Sequence, residues 1–128
     1  MTTPPITLDN ATRLAVDRTR LAHERTMMAW VRTATSLISF GFTIYKFFQL
    51  DIKATPPNGN ILIGPRGFAL LMISTGLAAL ALAGLQHHES MRSLSTTYGP
   101  GPRSVAGPIA VLVAIMGALA FAAVVARA

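Results

Sequence analysis

Three arginines spaced by seven residues are the feature of this sequence best suited to chemistry. Arg18, Arg25 and Arg32 recur at nearly two helical turns, so on one helix they form a slowly drifting stripe. The stripe is continued or flanked by hydroxyl and ammonium side chains, namely Ser36, Ser39, Thr43 and Lys46. A guanidinium binds phosphate-type oxyanions bidentately through its planar fork. The spacing therefore indicates a cationic surface suited to anions.

These three arginines have no neutralising partner on their own helix. Residues three and four positions away are neighbours on a helix surface, and all of these are uncharged for Arg18, Arg25 and Arg32. Other charges before the first apolar run do have such neighbours. Their spacing predicts a solvated ladder of ion pairs: Asp9 with Arg13, Arg13 with Asp17, Asp17 with Arg20, and Arg20 with Glu24.

One long helix must position the stripe. Residues 8–49 contain no proline and a single glycine, Gly41, and either Thr7 or Asp9 is suited to cap the start of this helix. Residues 1–6 are predicted to be a disordered lead. Turn-forming residues are predicted to interrupt the helices at 54–60 and at 98–102.

Three apolar runs are long enough to cross a bilayer, which takes about 20 helical residues. They cover residues 27–48, 67–85 and 105–126, and only the first contains charged residues, Arg32 and Lys46. The last two runs lack the polar face that a helix of a soluble bundle would carry. We therefore predict an all-α integral membrane protein with three transmembrane helices, forming a single domain over residues 1–128. The first helix extends into the cytoplasm over residues 8–26.

Composition narrows the classes of partner. Hydrophobic residues make up 52% of the chain and charged residues 12%, against about 25% charged in soluble domains. The formal charge of +6 lies beside apolar runs, which favours the lipid bilayer and anionic solutes over nucleic acid. The chain has no cysteine, so it has no disulfide or thiolate nucleophile. We expect no cofactor.

The distribution of basic residues near the three runs predicts the orientation. The N-terminal flank and the second loop carry Arg13, Arg18, Arg20, Arg25, Arg92 and Arg103. The opposite side carries Lys53, Arg66 and Arg127. Because cytoplasmic segments are enriched in Lys and Arg, we expect a cytoplasmic N-terminus and an external C-terminus.

Arg32 lies five residues past Met27, so about 7–8 Å inside the first span at 1.5 Å per residue. Three interpretations remain open. The side chain snorkels to lipid phosphate, it pairs across a subunit or helix interface with Glu24 or Glu89, or it lines a wet cationic path for an anion. The hydroxyls of the stripe favour the last two, although a hydroxyl can also bond the carbonyl four residues earlier on its own helix.

Other polar residues do not amount to sites. His87, His88 and Glu89 are adjacent and so point apart on a helix, and zinc needs three or four converging ligands. We interpret them as polar loop residues near the membrane and expect no metal site. No residue pattern indicates hydrolytic or redox catalysis. Trp30 and Tyr45 are predicted to be interfacial anchors at the two ends of the first span.

The run from Leu21 to Thr33, LAHERTMMAWVRT, resembles the signature of YidH-like bacterial membrane proteins, the domain of unknown function 202 (DUF202). Its members carry a similar Ala-Asn-Glu-Arg-Thr, then Leu-Ala-Trp, then Arg-Thr, and His23 departs from it by replacing Asn. Gly41, Phe42 and Lys46 fit as well. The motif residues here are Glu24, Arg25, Thr26, Trp30, Arg32 and Thr33.

The same domain resembles the small membrane subunit of the eukaryotic vacuolar transporter chaperone, which makes and translocates polyphosphate. There the membrane helices form a ring around a basic path. The resemblance implies a homo-oligomer, with five copies, in which Arg25 and Arg32 match basic positions of the path and Glu24 a neighbouring acidic one. The chain has no polymerase or phosphate-sensing domain, so synthesis of polyphosphate is not implied.

These observations lead to two expectations for function. The first is an oligomeric protein of the bacterial inner membrane that conducts phosphate- or polyphosphate-like anions, and that is not an enzyme. Its path would be lined by Arg25, Arg32, Ser36, Ser39, Thr43 and Lys46. The alternative is a non-conducting structural or accessory subunit that scaffolds a partner.

Overall fold

A computed structural model describes residues 9–51 and 64–127, which form three α-helices. Helix α1 spans Asn10–Asp51, α2 spans Pro65–Tyr98 and α3 spans Ala106–Ala126. At 1.5 Å per residue, the 42 residues of α1 extend about 63 Å and the 34 residues of α2 about 51 Å. The 21 residues of α3 extend about 32 Å, close to the thickness of a bilayer core. Both α1 and α2 therefore exceed the length that a crossing needs.

Local sequence accounts for both ends of α2. Pro65 is at the start of α2. The backbone N–H at this position has no partner within the helix, so its absence in proline costs no hydrogen bond. Gly99 ends it with φ +91°, a backbone conformation that favours glycine, and its N–H donates to the Ser95 carbonyl. Pro100 follows and cannot continue the helix.

The three helices form an up-down-up bundle held by two clusters of buried side chains. One cluster joins all three helices through Met27, Val31, Ala34, Leu80, Ala83, Ala106 and Ala110. The other also joins all three, through Ile38, Tyr45, Ala69, Ile73 and Val124. The first cluster precedes the second along α1 and along α3 but follows it along α2, so α1 and α3 are parallel and α2 is antiparallel to both.

Glycines allow the helices to approach closely. A Cβ added at Gly76 of α2 would lie 3.1 Å from the Ala34 carbonyl oxygen of α1. One added at Gly41 of α1 would lie 2.9 Å from Met72 Cβ and 3.0 Å from the Ala69 carbonyl oxygen. Small residues at such crossings gain packing contacts that larger ones exclude, as is common between membrane helices.

Two of the three helices are apolar enough to cross a membrane by length and composition. The most hydrophobic 18-residue window reaches a mean hydropathy of 2.1 in α2 and 2.8 in α3. The outward side chains of α3 are also apolar and exposed, among them Val111, Leu112, Ile115, Met116 and Leu119. Such a surface is suited to lipid. Helix α1 does not meet the same hydropathy criterion.

The structure agrees with the predicted all-α fold and differs from the predicted boundaries in one important place. Helix α1 follows the predicted long helix, with Asp9 directly before it and its carbonyl accepting the Arg13 N–H. The predicted second span ends at residue 85, but α2 continues to Tyr98. His87, His88 and Glu89 therefore lie within a helix, and their interpretation as loop residues is wrong. Residues 1–8, 52–63 and 128, which include Thr7, the lead at 1–6 and the turn at 54–60, lie outside the described residues.

Candidate functional site

The arginine stripe lies on the face of α1 that points away from the other two helices. Met27, Val31 and Ala34 are buried and define the inward face of α1. Arg25 and Arg32 are exposed, and at 3.6 residues per turn they fall on roughly the opposite side of the helix. The structure therefore leaves the stripe available to lipid, to solvent or to another molecule.

The hydroxyl residues of the stripe share this outward face. Ser36, Ser39 and Thr43 are all exposed. Ser36 Oγ donates to the Arg32 carbonyl at 3.0 Å, and Thr43 Oγ1 donates to the Ser39 carbonyl at 2.7 Å. The hydrogens of these two hydroxyls are thus used within α1, so neither hydroxyl requires a wet surrounding.

Lys46 lies to one side of the stripe. It is half-buried, and its Nζ lies 5.9 Å from the centroid of the Phe42 ring on the same helix. An ammonium at this distance is attracted to the negative face of an aromatic ring. Lys46 is therefore partly engaged with its own helix, unlike Arg25 and Arg32.

A shallow cavity of about 320 Å³ lies along the stripe. Its lining combines charged and apolar side chains of α1: Leu21, Glu24, Arg25, Met28, Ala29 and Arg32. The two arginines are seven residues apart, which places their Cα atoms about 10.5 Å apart along the helix. The cavity is thus a cationic groove with an apolar floor, hereafter the arginine groove.

Glu24 makes a different set of contacts from those that its spacing predicts. Its Oε1 accepts hydrogen bonds from the backbone N–H of Val105 at 3.0 Å and of Ala106 at 3.4 Å. Ser104 Oγ also donates to it, at 3.4 Å. The first N–H groups of a helix lack intrahelical partners and carry partial positive charge, so a carboxylate is stabilised there. Glu24 therefore fixes the start of α3 to α1.

Arg20 differs from the predicted ladder in the same way. Its Nη2 donates to the Gly99 carbonyl at 2.8 Å, and its guanidinium lies against Gly101, where there is no room for a Cβ. Arg20 and Glu24 thus hold the two ends of the α2–α3 connection instead of pairing with one another. Two long-range partners outcompete one exposed i,i+4 ion pair, which contributes only about 0.3–0.5 kcal/mol.

His87 completes a junction of the three helices that the sequence did not predict. It is half-buried on α2, and its Nε2 lies 3.3 Å from Ser104 Oγ. Its Nδ1 is buried and has no hydrogen-bond partner among the described residues. Helical periodicity could have predicted that His87 faces the other helices, because it lies seven residues after Leu80 and four after Ala83, which are both buried. We call Glu24, His87 and Ser104 the α3 junction.

A second cavity, of about 270 Å³, lies between α1 and α2 next to this junction. Its polar and aromatic lining comprises His23, Thr26, Trp30, Gln86, His87 and Ser90. Trp30 is 43% exposed. Thr26 bonds the Ala22 carbonyl and Thr33 the Ala29 carbonyl of their own helix. The other motif residues are therefore divided between this seam cavity, the arginine groove and the α3 junction, and Thr33 lies in none of them.

Tyr45 is not an interfacial anchor. It is only 4% exposed and packs in the second buried cluster, with its hydroxyl accepting a hydrogen bond from Gln49 Nε2 at 3.3 Å. Arg66 lies over the Tyr45 ring at 5.8 Å and donates to the Arg127 carbonyl. These contacts close the end of the bundle opposite the α3 junction.

Comparison with known proteins gives one match. The family model for a domain of unknown function, DUF202, matches residues 18–93, which is more than half of the chain. The matched region contains the stripe from Arg18 to Lys46 and the greater part of α2. No curated protein and no solved structure matches the chain.

Proposed function

The chain belongs to the DUF202 family, and from that premise we propose that it is a homo-oligomeric membrane protein in which α1 lines a path for phosphate-type anions. The observation that best supports this proposal is the position of Arg25 and Arg32. Both are exposed on the face of α1 that points away from the rest of the bundle. We further propose that the N-terminus is cytoplasmic and that the membrane is the bacterial inner membrane.

Helix α1 supplies the third span in this proposal. It packs against α2 from Met27, which shares a cluster with Leu80 and Ala83, to Tyr45, which shares one with Ala69. If α2 crosses the bilayer, this part of α1 lies at the same depth. Its low hydropathy has a local cause, since the polar side chains are concentrated on the outward face.

That outward face supports self-association. An arginine at mid-membrane costs at least about 2.5–3.5 kcal/mol on insertion scales, which disfavours a stripe that faces hydrocarbon. A closed ring of copies turns the same face of every α1 toward a shared axis. Arg32, which lies within the span, is then removed from hydrocarbon, and symmetry repeats Arg25 and Arg32 as stacked cationic rings.

Such rings would select anions. Arginine and lysine rings are the device by which pores favour anions over cations. Guanidinium groups match the oxygens of phosphate with two parallel hydrogen bonds, so phosphate or a chain of phosphates is the substrate class that the stripe fits best. Lys46 lies about 21 Å along the helix from Arg32 and would add a weaker ring, because its ammonium is partly held by Phe42.

A non-conducting scaffold is the second candidate, and one observation favours it. The Ser36 and Thr43 hydroxyls donate to carbonyls of their own helix, so they do not require water along the stripe. In that case Arg32, about 7–8 Å past Met27, snorkels to lipid phosphate or contacts a partner protein.

Flux measurements on purified protein in liposomes test the two candidates. We expect phosphate or chloride efflux from the wild-type protein, and less efflux from the Arg32→Ala variant. Arg13→Ala is the matched control, because Arg13 is exposed on α1 but about 21 Å before Met27. The scaffold candidate predicts no flux above protein-free liposomes for any of the three proteins.

A further inference from the structure

Two rows of exposed side chains border the arginine stripe along α1. One row is bulky and apolar, and its members recur every seven residues: Leu14, Leu21 and Met28, with exposed fractions of 59%, 54% and 38%. The other row is small and also exposed, and each of its members directly follows a member of the first row in sequence: Ala15, Ala22 and Ala29. We call them the bulky row and the alanine row.

The arginine stripe lies between the two rows. Successive residues of an α-helix are about 100° apart around its axis, so the two rows are separated by about 100°. Arg18 lies four residues after Leu14 and three after Ala15, which places it about 40° from the bulky row and about 60° from the alanine row. Arg25 and Arg32 keep the same relation to the later members, because the stripe and both rows share the period of seven residues.

Lipid does not account for the exposure of the whole bulky row. With the first span beginning at Met27, Leu21 lies about 9 Å and Leu14 about 20 Å outside the span along the helix. Both leucines are then exposed to water, although burying such a side chain is favourable. Single exposed leucines are common on protein surfaces. A row that repeats every seven residues is instead typical of a helix that packs against another helix.

A second copy of α1 has the surface that fits the bulky row. Side chains on a helix lean toward its N-terminus, so Leu21 of one copy reaches the space between Ala15 and Ala22 of a parallel neighbour at the same height. Alanines leave room there for a large side chain, as in the knobs-into-holes packing of parallel helices. Because the two rows have the same period, they drift around the helix together and the match repeats along α1.

The angle between the rows fits a closed ring. In a ring of parallel helices each helix touches two neighbours, in directions that differ by about 90° for four copies, about 108° for five and about 120° for six. The separation of the rows, about 100°, lies between the values for four and five copies. The arginine stripe lies within this angle. It therefore faces the axis when a neighbour covers each row.

We propose that copies of this chain pack side by side through α1, with the bulky row of one copy against the alanine row of the next. The inference rests on the homo-oligomer of the proposed function and assigns the surface that closes it. Each contact joins two different surfaces, so the interface is heterologous and leaves no surface uncovered only when the ring closes. The arginine groove, which includes Leu21, Met28 and Ala29, then borders every contact.

Disulfide cross-linking of the protein in mild detergent tests this pairing, because the chain has no native cysteine. Leu21→Cys and Ala22→Cys are produced separately, co-expressed, and combined in one chain, and each sample is oxidised with copper phenanthroline. Each single variant should stay unlinked, and the co-expressed pair should give a linked dimer. The doubly substituted chain should give a ladder that ends at the copy number of the ring, since adjacent residues on a helix point apart and each cysteine reaches only a neighbouring copy.

Three outcomes would overturn the pairing, and they separate it from the proposed function. Linkage of Leu21→Cys alone would mean that two bulky rows meet. An oligomer whose doubly substituted chain stays unlinked would mean that another surface closes the ring, and the oligomer of the proposed function would stand. A monomeric particle would overturn the oligomer and the pairing together. Linkage in a protein without anion flux would instead support the pairing and contradict only conduction.

An exchange of side-chain size gives a second test without cysteine chemistry. Ala22→Leu fills the alanine row, so the oligomer should dissociate at about ten-fold higher protein concentration, as the loss of one leucine contact implies. Adding Leu21→Ala places a small side chain opposite the large one again and should restore most of the wild-type association. Ala81→Leu, at an exposed position of α2, is the matched control and should behave as wild type. A double variant that associates no better than Ala22→Leu contradicts the pairing.

Discussion

The Glu24 carboxylate of α1 accepts the backbone N–H of Val105 at 3.0 Å, just where α3 begins. This bond joins two residues that are 81 positions apart in sequence and connects two helices that are parallel in the bundle. Oε1 of the Glu24 carboxylate is thus directed to the N-terminus of α3. Glu24 nevertheless lines the arginine groove together with Arg25 and Arg32.

Removing the carboxylate should loosen α3. Substituting a side chain that caps a helix N-terminus by alanine costs about 0.5–2 kcal/mol. We therefore expect Glu24→Ala to lower the thermal unfolding midpoint in detergent, and Glu24→Gln, which keeps an acceptor oxygen, to lower it less. Glu89→Ala is the control, since Glu89 is exposed on α2. Equal midpoints for Glu24→Ala and Glu89→Ala would contradict the role given to Glu24.

The close approach of α1 and α2 at Gly76 predicts a steric effect. A Cβ there meets the Ala34 carbonyl oxygen at 3.1 Å and Leu37 Cβ at 3.2 Å, neither of which is the flexible end of a side chain. Gly76→Ala should therefore destabilise the bundle by about 1–3 kcal/mol, as overpacking does. Gly107→Ala should be nearly neutral, because nothing lies within 4 Å of its added Cβ. Unfolding curves of the two variants in the same detergent decide between these outcomes.

Topology is a third prediction. Cysteines introduced by Thr3→Cys and Ser95→Cys should be cytoplasmic, and those introduced by Asn58→Cys and Ala128→Cys external, on the asymmetry of Lys and Arg. The chain has no native cysteine, so each label reports a single position. A membrane-impermeant maleimide applied to intact cells should label only the external pair. Labelling at position 3 but not at position 58 would reverse the assignment.

Much of the fold follows from the sequence because membrane helices are specified locally. Length and the absence of charge predict α2 and α3, and the absence of proline predicts α1. Hydropathy does not predict the extension of α2 from residue 86 to Tyr98, because most of these residues are polar. The first part of this extension lies alongside the N-terminal part of α1, where Gln86, His87 and Ser90 line one cavity with His23 and Thr26.

The α3 junction shows where sequence reasoning stops. Glu24 has a plausible local partner four residues earlier in Arg20, and only the packed bundle provides the better one at Val105. Similarly, alanines recur every four residues in α3 from Ala110 to Ala126. That row drifts around the helix by about 40° at each step. The buried positions are instead Ala106, Ala110, Gly117 and Val124, of which the last three recur every seven residues.

Self-association is a fourth prediction. The protein should form a closed ring in mild detergent or nanodiscs, with five copies implied by the family resemblance and with α1 nearest the axis. Mass measurement of the intact particle gives the copy number. Because ring formation brings like charges together, Arg32→Glu should change the stability of the ring more than Arg13→Glu does. A strictly monomeric particle would contradict both the predicted ring and the proposed path for anions.

Ion selectivity of the purified protein in a planar bilayer tests the central claim most directly. Under a salt gradient, the sign of the reversal potential shows whether anions or cations carry the current. The wild-type protein should be anion-selective, Arg32→Glu should shift the potential toward cation selectivity, and Arg13→Glu should leave it unchanged. The conducting role would be contradicted by the absence of current above a protein-free bilayer, or by a selectivity that does not change in Arg32→Glu. The non-conducting scaffold would then be the remaining candidate.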